Sequence, residues 1–213
     1  YSLVKNFLLN YYTFLTVTGR IKNISVNKPY KINKLKKYYN YSFHELSIIE
    51  SALNGKFLYA NQHGDFTRHN ILQSKKGINI IDWTDTGVKI ITDDIFYFII
   101  NYYLQLRTET GIQGIINAFD ATFNQGNDYA AFINELVGSI FEILKLDYYN
   151  CNKYLILFMV DRCIEEAEKL EKIRVGELNS FAKNIFNQIE SESIYDTIIW
   201  SHLLKFILKK EIE

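Results

Sequence analysis

Gln62-His63-Gly64-Asp65-Phe66-Thr67-Arg68-His69-Asn70-Ile71-Leu72, followed a few residues later by Ile80-Ile81-Asp82-Trp83, is the stretch from which the rest of the chain is read. Asp65 lies in a polar loop directly before an apolar run, and Asn70 stands where that run begins. The runs Asn70–Ser74 and Ile78–Trp83, joined by Lys75-Lys76-Gly77, carry the signal of a β-hairpin. In an antiparallel pair the start of one strand lies beside the end of its partner, so Asn70 and Asp82 are expected to converge, with Asp65 on the adjoining loop. Two carboxylates and a carboxamide oxygen form a hard, oxygen-only donor set. Such a set suits Mg²⁺, which completes its shell with water and substrate phosphates, rather than Zn²⁺. Asp and Asn also favour turns, so the same three residues read as ordinary loop caps. His63 and His69 have no cysteine or third histidine nearby to make a zinc site, and the His63/Asp65 pair has no Ser or Cys nucleophile elbow.

Outward from this block the pattern is helical. Residues 2–16 are apolar on most faces and read as a buried helix, while 18–41, with the chain's single proline, read as a loop or lid. Ser42-Phe43-His44-Glu45 is a capping box opening a helix that runs to about Leu53 and stops near Asn54-Gly55. Lys56–Ala60 reads as a short strand. After Thr92, helices are expected near 93–107, 111–123, 128–146, 150–173, 177–190 and 194–210, the last capped by Ser193 with Asp196. The fold class is mainly α with a small β-hairpin.

Composition supports one domain of 213 residues with a sizeable core: 48% of residues are hydrophobic and 23% charged. The longest apolar runs, Ile95–Ile100 and Tyr154–Val160, are too short to span a bilayer. With no basic-then-apolar leader visible, a cytoplasmic protein without membrane partners is expected. Cys151 and Cys163 are too few for a disulfide scaffold and read as reduced thiols. Net charge is zero, but residues 1–44 hold eight basic residues and no acidic one, against 16 basic and 24 acidic residues in the remainder. Such asymmetry reads either as a basic segment facing an acidic body or as a surface for an anionic partner. No helix-turn-helix, zinc-finger or RNP-like pattern accompanies it, which excludes a recognisable nucleic-acid module.

His63-Gly64-Asp65 with Asn70, a hairpin, and then Ile81-Asp82-Trp83 resembles the core of the aminoglycoside phosphotransferase and choline kinase family, of the protein-kinase-like fold. Gly87 and Asp94 fall at the offsets from Asp82 at which that family tends to carry a glycine and a further aspartate. The resemblance implies the C-terminal, helical lobe of a kinase-like fold. By it, Asp65 orients the acceptor hydroxyl and takes its proton, while Asn70 and Asp82 hold Mg²⁺ against the phosphates of ATP or GTP. It makes His63 and Gly64 structural members of the loop and Asp94 its brace through backbone hydrogen bonds. Arg68 is open to two readings, a phosphate or substrate contact or a merely exposed side chain, and Trp83 is expected to pack beneath the metal loop.

The chain departs from the family in its first 62 residues, which carry only Gly19 and Gly55 and no glycine-rich phosphate loop or lysine-bearing strand. The expectation is therefore a catalytic lobe without its nucleotide-binding N-lobe: 1–60 an inter-lobe helix plus basic insert, 61–94 the catalytic loop and metal hairpin, 95–213 a helical subdomain. Its partners would be a nucleotide, a small hydroxylated acceptor and the N-terminal lobe of a parent protein, with a dimer through the exposed lobe interface as a further option. The acidic run Glu165, Glu166, Glu168 and Glu171 suits a polycationic acceptor, and the basic insert a phosphorylated or anionic one. The alternative is a catalytically silent module whose basic insert contacts an anionic partner.

Overall fold

The structure, a computed structural model, describes residues 2–75, 77–106, 111–123, 127–174 and 198–211. The chain is mainly helical with small antiparallel sheets. It divides into two compact units, one of Tyr1–Ser25 with Gly55–Leu155 and one of Val26–Asn54 with Ile156–Glu213.

The first unit is built on helix α1 (Ser2–Val17), whose Leu8, Tyr12 and Leu15 are buried. Three strands, β1 (Lys22–Ser25), β2 (Lys56–Gln62) and β5 (Gly87–Ile90), form an antiparallel sheet with β2 in the centre. Its register pairs Lys22 with Tyr59 and Tyr59 with Ile90, and at the far end Gln62 with Gly87. Strands β3 (Ile71–Ser74) and β4 (Gly77–Ile80) make a separate hairpin, Ile71 opposite Ile80. Helices α4 (Asp93–Leu106), α5 (Gly111–Phe123) and α6 (Asp128–Ile143) follow. α5 packs against both α4 and α6, and α6 packs against α1. Phe57, Phe141 and Tyr154 share edge-to-face ring contacts in the core, and the Tyr154 hydroxyl accepts from the Leu58 amide.

The second unit holds α2 (Lys28–Tyr38), α3 (Phe43–Ala52), most of α7 (Cys151–Arg174, which begins in the first unit) and α8 (Ile199–Lys210). α2 corrects the expectation of a loop or lid over 18–41, as does β1. The single proline, Pro29, sits in the first turn of α2, where its missing N–H is no loss, and Asn27 caps that turn by accepting from the Tyr30 amide. The helix buries Ile32, Leu35 and Tyr38 and turns lysines outward. α3 opens with the expected capping box: Ser42 Oγ accepts from the Glu45 amide, and Glu45 accepts from the Ser42 amide at 2.7 Å.

Lys31, Lys34 and Lys37, one helical turn apart on α2, pair with Asp161, Glu168 and Glu171 on α7. Tyr38 also donates to Glu171. Lys37 and Tyr38 hold the Glu171 carboxyl below its usual value, whereas burial pushes Asp161 up despite the pull of Lys31. Three lysines of the basic segment are thus neutralised within this unit.

The expected helix over 177–190 and the Ser193/Asp196 cap lie outside the described residues. Among the described residues no helix is long and apolar enough to cross a membrane.

Candidate functional site

β2 ends at Gln62, and the chain turns through His63 and Gly64 into the loop that carries Asp65. Four features hold this loop. Asp94, in the first turn of α4 and fully buried, accepts from the His63 amide at 2.7 Å and from the Gly64 amide at 2.9 Å. A carboxylate there also complements the positive end of the helix dipole. The Gln62 amide, oriented with its nitrogen toward the surrounding acceptors, donates to Asp94 Oδ2 and to the Ile91 carbonyl at 3.3 Å. Tyr11 of α1 places its hydroxyl 3.4 Å from Asp94 Oδ2, and burial together with the Asp94 charge pushes that phenol well above its ordinary range. Phe66, 1% exposed, anchors the loop in the core between the rings of Phe7, His63 and Phe98.

Gly64 has no substitute here. Its φ is +87°, and a Cβ would lie 2.3 Å from the Asp85 carbonyl oxygen. The bare Cα lets the backbone of the following turn, Asp82 to Gly87, close over the loop.

Two hydrogen bonds join the same parts. His63 Nε2 lies 2.8 Å from the Ile81 carbonyl and therefore carries the proton, which leaves Nδ1 buried and without a hydrogen-bond partner. The Ile81 amide donates to the Asn70 carbonyl at 3.0 Å, extending the hairpin by one pair beyond Ile71 and Ile80. The strands fall short of the expected ones at the open end of the hairpin, where β3 starts at Ile71 and β4 stops at Ile80. Asn70 closes a 3₁₀ turn, Arg68–Asn70, and Asp82 begins another with left-handed backbone (φ 58°, ψ 67°).

Asn70, 8% exposed, donates through Nδ2 to the Asp65 carbonyl at 2.9 Å and to Asp65 Oδ2 at 3.0 Å. Asp65 itself is half-buried. Asp82 is exposed and accepts from Thr84 Oγ1 at 2.7 Å. The structure therefore brings Asp65 and Asn70 into direct contact, and it ties the backbone before Asp82 to Asn70 and His63 through Ile81. Trp83 lies edge-on to His63 at 4.7 Å but is 50% exposed, so it flanks the turn rather than packing beneath it. Arg68 is exposed.

The donor chemistry fits a hard cation. With the Asn70 nitrogen committed to Asp65, the three side chains Asp65, Asn70 and Asp82 have oxygens left to offer, and His63 adds no nitrogen because its Nε2 faces the Ile81 carbonyl and its Nδ1 is buried. Among the described residues no group of three or more His, Cys, Asp or Glu side chains is arranged to hold a metal. An ion here would have to complete its shell with phosphate oxygens or water.

Tyr11 and Gln62 escaped the sequence reading as members of the site, since neither stands at a motif position. Their signal was structural: Tyr11 shares a face of α1 with the aromatic Phe7, which meets Phe66. Compared with protein-family models, curated proteins and solved structures, the chain matches none of them.

Proposed function

We propose that this chain is the catalytic C-terminal lobe of a Mg²⁺-dependent small-molecule O-phosphotransferase that moves the γ-phosphate of ATP or GTP to a hydroxyl of an aminoglycoside, amino alcohol or sugar. The observation that carries the reading is the pinned pair Asp65 and Asn70, joined at 3.0 Å, with the Asp82 turn tied through Ile81 to Asn70 and to His63. Phosphoryl transfer needs positioning and charge neutralisation more than covalent chemistry, and a rigid loop with oxygen donors serves that need.

In this reading Asp65, half-buried and oriented by Asn70, holds the acceptor hydroxyl and takes its proton as the oxygen attacks. Committing the Asn70 nitrogen to Asp65 leaves its carboxamide oxygen, with the Asp82 carboxylate, to hold the metal. Mg²⁺, when bound, neutralises the charge of the nucleotide phosphates and of the transferring group. Asp94, His63 and Gly64 keep the loop and the turn in register. Leu72, Ile81, Trp83 and Val88 remain 41–57% exposed near the turn, which supports a further lobe over this face.

The test is Asp65→Ala in the full-length parent protein. Transfer from ATP or GTP to a panel of hydroxylated acceptors should fall by about 10³-fold or more with the urea midpoint unchanged. Wild-type turnover in the variant would remove Asp65 from the reaction. A silent module that displays a basic insert has less support, because Lys31, Lys34 and Lys37 already face acids of α7.

A further inference from the structure

We infer that the acceptor of this site carries an anionic group, a phosphate or carboxylate, recognised by Arg68 with His69 beside it. This rests on the phosphotransferase reading and narrows it to anionic hydroxyl compounds, away from polycations. Three observations carry it.

The first is how charge is distributed after folding. The acidic run of α7, the feature that would suit a polycationic acceptor, is fully engaged: Glu165 pairs with Arg162, Glu166 with Lys169, Glu168 with Lys34 and Glu171 with Lys37. Two of these pairs, with Lys31 to Asp161, also engage three lysines of the basic insert that would suit an anion. The acidic run offers no ready charge to a cation, and the insert keeps only part of its own for an anion.

The second is the state of Arg68. Among the described residues its guanidinium makes no hydrogen bond, ion pair or ring contact, nor does the His69 ring. Both side chains are exposed. Asp65 stands three residues away, but its Oδ2 is held by Asn70.

The third is rigidity. Arg68 and His69 ride on a turn closed by Asn70 N donating to the Thr67 carbonyl at 3.1 Å, and by Thr67 N donating to the Asp65 carbonyl at 2.9 Å. Phe66 roots the loop in the core, and Asn70 returns to Asp65. A guanidinium on a fixed backbone, within the loop that presents Asp65, has only its side-chain rotamers to order on binding. It offers the planar fork that matches carboxylate or phosphate oxygens. An anionic group on the acceptor, gripped there, would set its hydroxyl against Asp65.

The experiment uses the full-length parent and acceptors that differ only in charge: glycerol, glycerate and glycerol phosphate, with choline and an aminoglycoside as cationic counterparts. The anionic acceptors should show a KM at least about tenfold below glycerol, the step expected of a charge-assisted hydrogen bond. Arg68→Ala should raise their KM by about 10- to 100-fold while leaving the nucleotide KM and the glycerol kcat unchanged, and Arg68→Lys should restore part of the loss. If Arg68→Ala instead raises the nucleotide KM or lowers kcat with every acceptor, the guanidinium serves the donor phosphate and the inference about the acceptor is overturned. Preference for choline or the aminoglycoside overturns it as well. If the wild type transfers no phosphate at all, the phosphotransferase reading fails. An NMR titration with glycerol phosphate then decides the anion site alone: shifts of the backbone amides of residues 65–70 that are lost in Arg68→Ala uphold it, and no shift in the wild type ends it.

Discussion

Gly64→Ala is the sharpest perturbation the structure offers, because its effect can be separated into parts. The residue has φ +87°, where an alanine costs about 1 kcal/mol relative to glycine. Gly19 has φ +63° with nothing within 4 Å of an added Cβ, so Gly19→Ala should show that conformational cost alone. At Gly64 the new methyl would stand 2.3 Å from the Asp85 carbonyl oxygen and 3.0 Å from its carbon. Backbone on one side or the other has to move by about 0.7 Å to reach the closest tolerated contact. Moving the Asp82–Gly87 turn strains the His63–Ile81 and Asn70–Ile81 bonds. Moving the loop pulls the His63 and Gly64 amides from Asp94, each a hydrogen bond to a buried charge worth about 1.5–3 kcal/mol. The sum is about 3–5 kcal/mol for Gly64→Ala against about 1 kcal/mol for Gly19→Ala. Urea unfolding of both variants measures this, provided that the slope m is unchanged. Equal midpoint shifts would show that the close approach to Asp85 carries no energy, and the account of why glycine stands before Asp65 would fall.

Other expectations are smaller in scope. Asp94→Asn should cost about 2–4 kcal/mol in urea unfolding, since a neutral carboxamide accepts the two loop amides less strongly and turns an N–H toward one of them; a loss below 0.5 kcal/mol would deny Asp94 its bracing role. Lys31→Met should destabilise by about 2 kcal/mol at pH 7, discounted from the fully buried case because the Lys31 and Asp161 side chains are 16% and 21% exposed. Asp161 already has its folded pKa raised by burial, so its ionised form opposes folding above that value and its protonated form does not. Without Lys31 the loss should therefore shrink as the pH falls toward 4, and a loss that stayed constant or grew would reverse the assignment. Burial pushes the Cys151 thiol up to about 12 and Cys163 higher still, so neither should react with iodoacetamide at pH 8 until the protein is unfolded. Rapid native-state alkylation of Cys163 would contradict its burial.

The parts of the fold legible in the sequence were those with several periods or an explicit capping code. α1, α3 to α7 and the β3–β4 hairpin fall within a few residues of where their patterns put them, and the Ser42/Glu45 box is present atom for atom. β1 and β5 were missed for one reason. Each has four residues, too few for alternation to register, and all four residues of β1 are exposed at the edge of its sheet. They are strands because β2 offers them a ladder, a long-range cause that local sequence does not carry. α2 runs where 18–41 reads as a loop, because a proline in the first turn starts a helix rather than breaking it. On α8 the buried stripe is Trp200, Leu203, Leu204, Ile207 and Leu208, while Ile199 is 36% exposed. An apolar helix with residues to spare leaves its facing open until its start is fixed.

The site divides differently. Spacing alone put Asn70 and Asp82 at the open end of one hairpin, with Asp65 on the loop that leads into it. Spacing gave no access to what holds them, because those groups come from elements far apart in the chain. Tyr11 and Asp94 are 83 residues apart, and Gly64 and Asp94 are 30 apart. The charge pattern is the clearer lesson. Read linearly, eight bases in 44 residues advertise an anionic partner, and four glutamates in a helix a cationic one. Folded, the two runs meet each other, and ion pairs at such separations cannot be seen until α2 lies along α7. Composition therefore points in part at charge that the fold has already satisfied. In the loop that carries Asp65 the positive charge left for a ligand is Arg68, with the exposed His69 beside it, and its meaning comes from what Phe66, Asn70 and Asp65 are already doing.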